Sequence, residues 1–585
     1  MSRPVPRRPA DRAVRHRHTV RVRTNEPGRE IGLLAGRYWE FLLERDPLLR
    51  VRQGLPVERL PGASIGEAEE RARFAEGVLA QVRELDGTEL SGADADTAAF
   101  LVGLAEQEVR VRRCYWLTPA ATPYRLFPLS QYVDAVLGPF RFAERHDVDR
   151  YLALVRELAG VVGSIGDKVV AQAARGFHVP APALAGARAT LVGLRTSVAR
   201  RVEVDEGRFG GLGQVERGRL REGVRRLVAV ELAPAFDRLL AVLDDPAYLR
   251  AAPSAVGWAR YEGGEEAYRE FVRTHTAGDT PPDRLHELGR DQCRELAERM
   301  REVRTTLGFR GPEDEFHDRL RTEPRLHART PEEVEARYRG HLDRLAPLLP
   351  RWFAALPAAP YGLARLDRAL EAGMTFGYYQ QPTAASPVGR YRYNGSGLAQ
   401  RSLLGAASLI YHELAPGHHF HLARQAEDPH LPQLRREVAE FGAFNEGWAE
   451  YAAGLGWEMG LYDDPWDAYG RLAQERFTAQ RLVVDTGLNL GTMSLEQARS
   501  FMRANSTEAD GQIASDLLRY STDLPGQALS YRAGFLEFGR LRARAEAVLG
   551  AGFDVRAFHE AVLGGGGLPF PALRRRVARE LGSHL

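Results

Sequence analysis

Residues 411–419 read Tyr411-His412-Glu413-Leu414-Ala415-Pro416-Gly417-His418-His419, and an apolar run precedes them, Leu403-Leu404-Gly405-Ala406-Ala407-Ser408-Leu409-Ile410. A zinc-hydrolase helix ordinarily carries a His-Glu pair and a second His four residues after the first. That spacing puts both imidazoles on one face, with the carboxylate beside the reacting water. Here the fourth position after His412 is Pro416. Proline has no N–H, and its ring collides with the carbonyl four residues back, that of His412 itself. Gly417 opens backbone angles closed to other residues. The helix is therefore expected to break or bulge between Ala415 and Gly417. In an unbroken helix His418 would point about 120° away from His412. If the two extra residues loop out, it returns to the place of the second ligand. His419 faces the right way but stands about 10 Å along the axis. His418 is thus the expected ligand and His419 the alternative.

A Zn²⁺ site wants three protein ligands and an open position. The stretch Phe444-Asn445-Glu446-Gly447-Trp448-Ala449-Glu450-Tyr451 offers the third. Glu446 and Glu450 lie one helical turn apart on one face. One carboxylate can bind the metal while the other accepts a hydrogen bond from a ligand imidazole. Glutamates at this spacing are commonly solvated surface charges, but Phe444, Trp448 and Tyr451 argue for a buried helix.

These stretches, with Arg481-Leu482-Val483-Val484-Asp485-Thr486-Gly487 and Pro525-Gly526-Gln527-Ala528-Leu529-Ser530-Tyr531, resemble the bacterial domain-of-unknown-function family 885. The resemblance runs from about residue 150 to the C-terminus. It implies a mostly helical fold similar to zinc peptidases with a Glu third ligand, of the thimet oligopeptidase and carboxypeptidase Taq type. Dipeptidyl peptidase III offers a parallel, since its motif also carries an insertion before the second His. Carried over, the resemblance makes His412, His418 and Glu446 the metal ligands and Glu413 the general base.

Composition bounds the rest. A chain of 585 residues can bury a large core and ordinarily forms more than one domain. A net charge of +2, from 80 basic and 78 acidic residues, carries no global signal for nucleic acid or membrane. No apolar run reaches the ~18 residues of a membrane span. Residues 1–25 are rich in Arg and Pro without the apolar stretch of a signal peptide, and read as a disordered basic tail. The two cysteines, Cys114 and Cys293, stand far apart in sequence, so a reducing, cytoplasmic location is expected.

Helical periodicity dominates, and the expected fold is mostly α, a large helical zinc-peptidase-like structure. An N-terminal helical subdomain is expected over 26–250 and a catalytic helical subdomain over 251–585. Tyr38, Phe41 and Leu42 form a core stripe. Ser64 and Glu67, then Ser494 and Gln497, read as capping boxes. Pro119, Pro123 and Pro128 predict a loop over 116–128. Arg481 and Asp485 stand at salt-bridge spacing. His286-Glu287 lacks the rest of a metal motif and reads as helix surface. Gly263-Gly264 opens a helix, and the resemblance makes that turn a candidate substrate contact. Thr375-Phe376-Gly377-Tyr378-Tyr379 and Arg390-Tyr391-Arg392-Tyr393-Asn394 predict a small β-hairpin or sheet edge beside the metal. An extended peptide can bind such an edge, which makes Tyr393 and Asn394 candidate substrate neighbours.

The chemistry expected is amide hydrolysis of short peptides or peptide-like metabolites at one Zn²⁺ per chain, or another divalent metal. Glu413 takes a proton from water and returns it to the leaving amine. A phenol suits the second donor to the tetrahedral intermediate, and Tyr531 is the choice. Arg532 is the candidate partner for a substrate carboxylate. Two other readings stand beside this one: a binding or scaffold protein that keeps the fold, and an iron enzyme at the same ligands. No nucleic acid or membrane partner is expected; a homodimer is open to it.

Overall fold

The computed structural model describes residues 26–85, 90–276, 278–371, 377–383 and 386–582. The basic tail and residues 375 and 376 of the first predicted strand lie outside them. The architecture is mostly α, with one small sheet.

The apolar clusters divide the chain differently from a cut at residue 250. Leu126, Tyr151, Leu158, Leu191 and Phe236 belong to one cluster, drawn from residues 57–248. Another joins Ile31, Tyr38 and Phe100 to Tyr411, Phe444, Trp448, Phe538 and Leu573. The first three helices of more than two turns, Glu26–Arg45, Ile65–Glu84 and Gly92–Arg113, thus contribute to the core that surrounds the His-Glu motif. Their apolar stripes face residues hundreds of positions away, which no local pattern can register.

Both capping predictions hold in essentials. Ser64 accepts from the Glu67 backbone N–H, and Ser494 and Gln497 form a reciprocal capping box. The loop predicted over 116–128 is a correction: a helix runs from Pro123 to Gln131 and continues as a π turn over Tyr132–Leu137. Pro123 sits in its first turn, where a missing N–H costs nothing. Pro128 lies inside this helix, and its clash would fall on the carbonyl of Tyr124, only one residue into the helix. Arg481 and Asp485 do not pair; Asp485 accepts instead from Tyr268 (2.8 Å) and the Gly526 backbone (3.0 Å). His286 is half-buried and lies 3.0 Å from the Thr486 hydroxyl.

The predicted hairpin is part of a three-stranded sheet. β1 (Tyr361–Arg365) runs parallel to β3 (Gly389–Tyr393), and β2 (Tyr378–Gln380) pairs antiparallel on the other side of β3. Register aligns Tyr379 with Tyr391. β1 is short and its parallel partner is distant in sequence, so it escaped the hairpin pattern.

The helix Gly442–Gly454, which carries Glu446, packs backbone to backbone on the helix Leu529–Leu549, which carries Tyr531. Gly447 and Gly534 make this possible. A β-carbon at Gly447 would overlap the Gly534 Cα, and one at Gly534 would overlap the Ala443 carbonyl. Gly539, on the same helix, faces open space. Gly534→Ala should therefore lower the unfolding free energy by about 1–3 kcal/mol through overpacking. Gly539→Ala should leave it unchanged or raise it by up to about 1 kcal/mol. Denaturant unfolding of the two variants side by side checks the contrast.

Candidate metal centre

The motif folds as two helices with a break. Ala406–Glu413 ends one turn after the apolar run, and His418–Glu427 begins at the second His. Leu414 to Gly417 loops out between them, with a cis peptide at Ala415–Pro416. The loop is pinned by Trp448, whose indole N–H donates to the Pro416 carbonyl at 2.9 Å. Gly417 is required by close approach, since a β-carbon there would overlap the His412 carbonyl.

This break brings His418 to the second-ligand position. Its Nε2 lies 3.4 Å from Oε2 of Glu446, and Nε2 of His412 lies 3.5 Å from the same oxygen. The donor atoms of His412, His418 and Glu446 all lie within 4.8 Å of one another. Direct charge-assisted hydrogen bonds would be about 2.7–2.9 Å. Donors each about 2.1 Å from a shared tetrahedral cation would stand about 3.4 Å apart. The donor chemistry and spacing therefore fit a Zn²⁺-type ion with a position left for water or substrate. His419 is turned away: its Nε2 lies 3.0 Å from the Ala359 carbonyl and its Nδ1 3.0 Å from the Tyr379 hydroxyl. A carbonyl can only accept, so Nε2 carries the proton and Nδ1 accepts from Tyr379.

Glu450 stands behind the ligands. Its Oε1 lies 3.2 Å from His412 Nδ1, leaving Nε2 of that ring to face Glu446. Glu450 is itself held by Arg471 (2.9 Å) and Gln474 (3.2 Å), and Arg471 also donates to Ser408 (3.1 Å). Its side chain is only 2% exposed and that of Arg471 is 0%. Burial raises the carboxylate's pKa, but Arg471 and His412 outweigh it and hold Glu450 low. Burial likewise opposes charge on His412, yet Glu446 and Glu450 push its pKa up to about 10. Burial is again outweighed at Glu446, which its two histidines hold far below the usual carboxylate range. Both glutamates are thus anionic, as Glu446 would have to be to hold a cation. The Arg471–Gln474 support was missed from sequence; an arginine in a long helix reads as surface charge unless its burial is known.

Glu413 faces the same space. Burial raises its carboxyl above the ordinary value, with Glu446 adding to the rise, while His412, His418 and the Tyr379 backbone N–H work the other way. Tyr531 joins from the opposing helix: its ring lies nearly parallel to His412 (13°) with centroids 6.3 Å apart. Burial keeps the phenol protonated, and Glu446 reinforces this.

Three predicted substrate residues are committed elsewhere. The Tyr393 hydroxyl donates to Glu335 at 3.0 Å. Asn394 donates to the Glu371 carbonyl at 2.7 Å and accepts from the Ser396 backbone at 2.9 Å. Arg532 is buried against Phe535 and bonded to Glu475 (3.4 Å) and Gln292. One residue past Tyr531 on the same helix, it is turned about 100° from that ring and lies buried in the core. The Gly263–Gly264 turn is held by packing, since a β-carbon at Gly264 would overlap the Trp258 carbonyl.

The fold and site define a mostly helical protein with two histidines on a broken motif helix and a glutamate facing them from the helix Gly442–Gly454. The family described as bacterial proteins of unknown function, DUF885, matches residues 47–577, and the chain belongs to it. A search of curated proteins finds no match. A crystal structure described as a "putative lipoprotein from Colwellia psychrerythraea" aligns with a TM-score of 0.81 at 24% identity, covering 95% of this chain and 99% of that one. A "putative lipoprotein of unknown function from Shewanella oneidensis" aligns at 0.71 and 16% identity, covering 93% and 99%. The shared fold extends over nearly the whole chain.

Glu450→Gln keeps the shape of the side chain but removes the anion that orients His412. Outer carboxylates of this kind carry a factor of about 10–100 in metal affinity. Competition with a chromogenic chelator should show that loss for zinc, while Glu427→Gln, whose carboxylate accepts from the exposed Ala358 and Ala359 backbone, leaves affinity unchanged.

Proposed function

We propose that the chain is a metal-dependent amide hydrolase of short peptides or peptide-like metabolites, with one Zn²⁺ held by His412, His418 and Glu446. The observation that carries this reading is the convergence of two imidazoles and a carboxylate within 4.8 Å, with Glu413 beside them. When bound, such an ion polarises a carbonyl and makes water more acidic.

The chain's own groups supply the rest. Glu413, its carboxyl raised by burial, is matched to accept a proton from water and to hand it to the leaving amine. A scaffold protein has no use for that acid. Tyr531, protonated and beside His412, is placed to donate to a developing oxyanion. β2 is an edge strand whose Tyr379 amide reaches Glu413, so an extended substrate lying along this edge would pass the ligands. The sheet edge, in place of the Tyr393 and Asn394 side chains, is the substrate support in this reading.

Two imidazoles and one carboxylate also suit Fe(II), which would serve other chemistry. No helix among the described residues is long and apolar enough to cross a membrane. Cys114 and Cys293 are both buried and unpaired, which supports the cytoplasm as the compartment we propose.

Elemental analysis of protein purified without added metal is expected to return about one zinc per chain. Hydrolysis of a panel of dipeptides and N-acyl amino acids should follow, and Glu413→Gln should lower it by about 10²–10⁴-fold with metal content unchanged. One iron per chain would replace this reading with the iron enzyme; a chain that takes up no ion would replace it with the scaffold.

A further inference from the structure

Arg481 is a largely buried cation with no carboxylate in direct contact; Asp516 and Glu508 act on it only from farther off. Only 9% of the residue is exposed, yet no carboxylate lies within ion-pair distance among the described residues. Its Nε donates to the Tyr520 hydroxyl at 2.9 Å, and its two terminal nitrogens have no hydrogen-bond partner there. The carboxylate four residues on, Asp485, is taken by Tyr268, Asn489 and the Gly526 backbone. Neighbouring Arg519 is different: it pairs with Asp516 at 3.3 Å and also reaches Gln527. A guanidinium largely withdrawn from water without a carboxylate against it is costly. Such a cost is characteristic of a site that receives its counter-ion from a ligand.

Its position says which part of a ligand. The guanidinium carbon lies 4.7 Å from the centre of the Tyr531 ring and 4.3 Å from that of Phe477. Tyr531 in turn stacks along His412. One aromatic ring therefore separates the free charge from the metal ligands. In an acylated amino acid the α-carboxylate lies one residue beyond the scissile amide, a step of about 3.8 Å between α-carbons. With the amide carbonyl beside His412 and Tyr531, a carboxylate that reaches past the Tyr531 ring would meet Arg481. A guanidinium binds a carboxylate through two parallel hydrogen bonds, and it gains no such pair from a neutral carboxamide. The rings of Phe477, Tyr520 and Tyr531 flank the guanidinium.

We propose that Arg481 anchors the free α-carboxylate of the substrate, so that the bond cut is the one to a C-terminal residue: a carboxypeptidase, dipeptidase or N-acyl-amino-acid hydrolase in place of an endopeptidase. The inference rests on the amide-hydrolase reading for the position of the substrate, but carboxylate binding is measured without turnover. The role expected of Arg532 passes to Arg481, which sits two helical turns after the Glu450-binding Gln474 on the helix Pro465–Asn489.

The probes are N-benzoylglycyl-phenylalanine and its C-terminal amide, titrated calorimetrically into Glu413→Gln protein, with and without added zinc. The acid is expected to bind at least tenfold tighter than the amide. Adding Arg481→Met should abolish that preference by weakening the acid and leaving the amide unchanged, and adding Arg481→Lys should restore part of it. The unchanged amide affinity shows that the Met variant is folded. Equal affinities for acid and amide, an equal loss of both on Arg481→Met with the Lys variant behaving alike, or binding of neither probe would overturn the anchor. Turnover by wild type separates the two claims. Hydrolysis of both probes at equal rates keeps the hydrolase and removes the anchor, whereas preferential binding of the acid with no hydrolysis keeps the anchor and removes the hydrolase.

Discussion

The close contact of Gly417 with the His412 carbonyl, held by the Trp448 indole on Pro416, is what the rest of the site depends on. A straight helix cannot present residues 412 and 418 on one face, because six residues advance the chain by about 600°, well short of two full turns. Looping out Leu414 to Gly417 resets the phase, and a new helix starts with His418 already aimed at Glu446. The loop has almost no freedom. Its backbone packs under the first ligand, and its carbonyl is claimed by the helix that supplies the third. Ligand geometry and helix packing are therefore a single constraint, not two.

Behind this first layer runs a chain of buried charge: His412, Glu450, Arg471, Glu475, Arg532. Burying such groups costs several kcal/mol per ion before any return. Hydrophobic residues of equal volume would stabilise the fold at least as well. What the charges supply is orientation. Arg471 holds Glu450, Glu450 faces Nδ1 of His412, and the ring is left with one nitrogen toward the cation position. Arg481 differs from the arginines of that chain in having no carboxylate in direct contact, its Nε resting on the Tyr520 hydroxyl.

Much of the site was legible in the residues alone. Pro416 forces a break and Gly417 permits one, so the choice of His418 over His419 followed from helix geometry, and the structure turns His419 to Ala359 and Tyr379. Glu446 and Glu450 at one-turn spacing pointed to a candidate ligand and a carboxylate behind it, and the structure brings both to His412. Other residues misled because their signal was local and their partners were not. Arg481 and Asp485 stand at ion-pair spacing, but Asp485 is captured by a loop about forty residues away. Pro128 looked like a helix breaker, yet its clash falls at the very start of a helix. Tyr393, Asn394 and Arg532 were credited with substrate because nothing in sequence shows that Glu335, Glu371 and Glu475 already hold them.

The amino-acid sequence by itself determined the helical class, the caps, the interrupted motif and the identity of the three candidate ligands, because each rests on spacing within a few turns of helix. Only the tertiary structure decided which arginine is left without a carboxylate, which strand lies at the free edge, and which core the first helices join. Those outcomes depend on burial and on partners far away along the chain. A side chain's charge is written in the sequence; whether that charge is already neutralised is a property of the packed molecule.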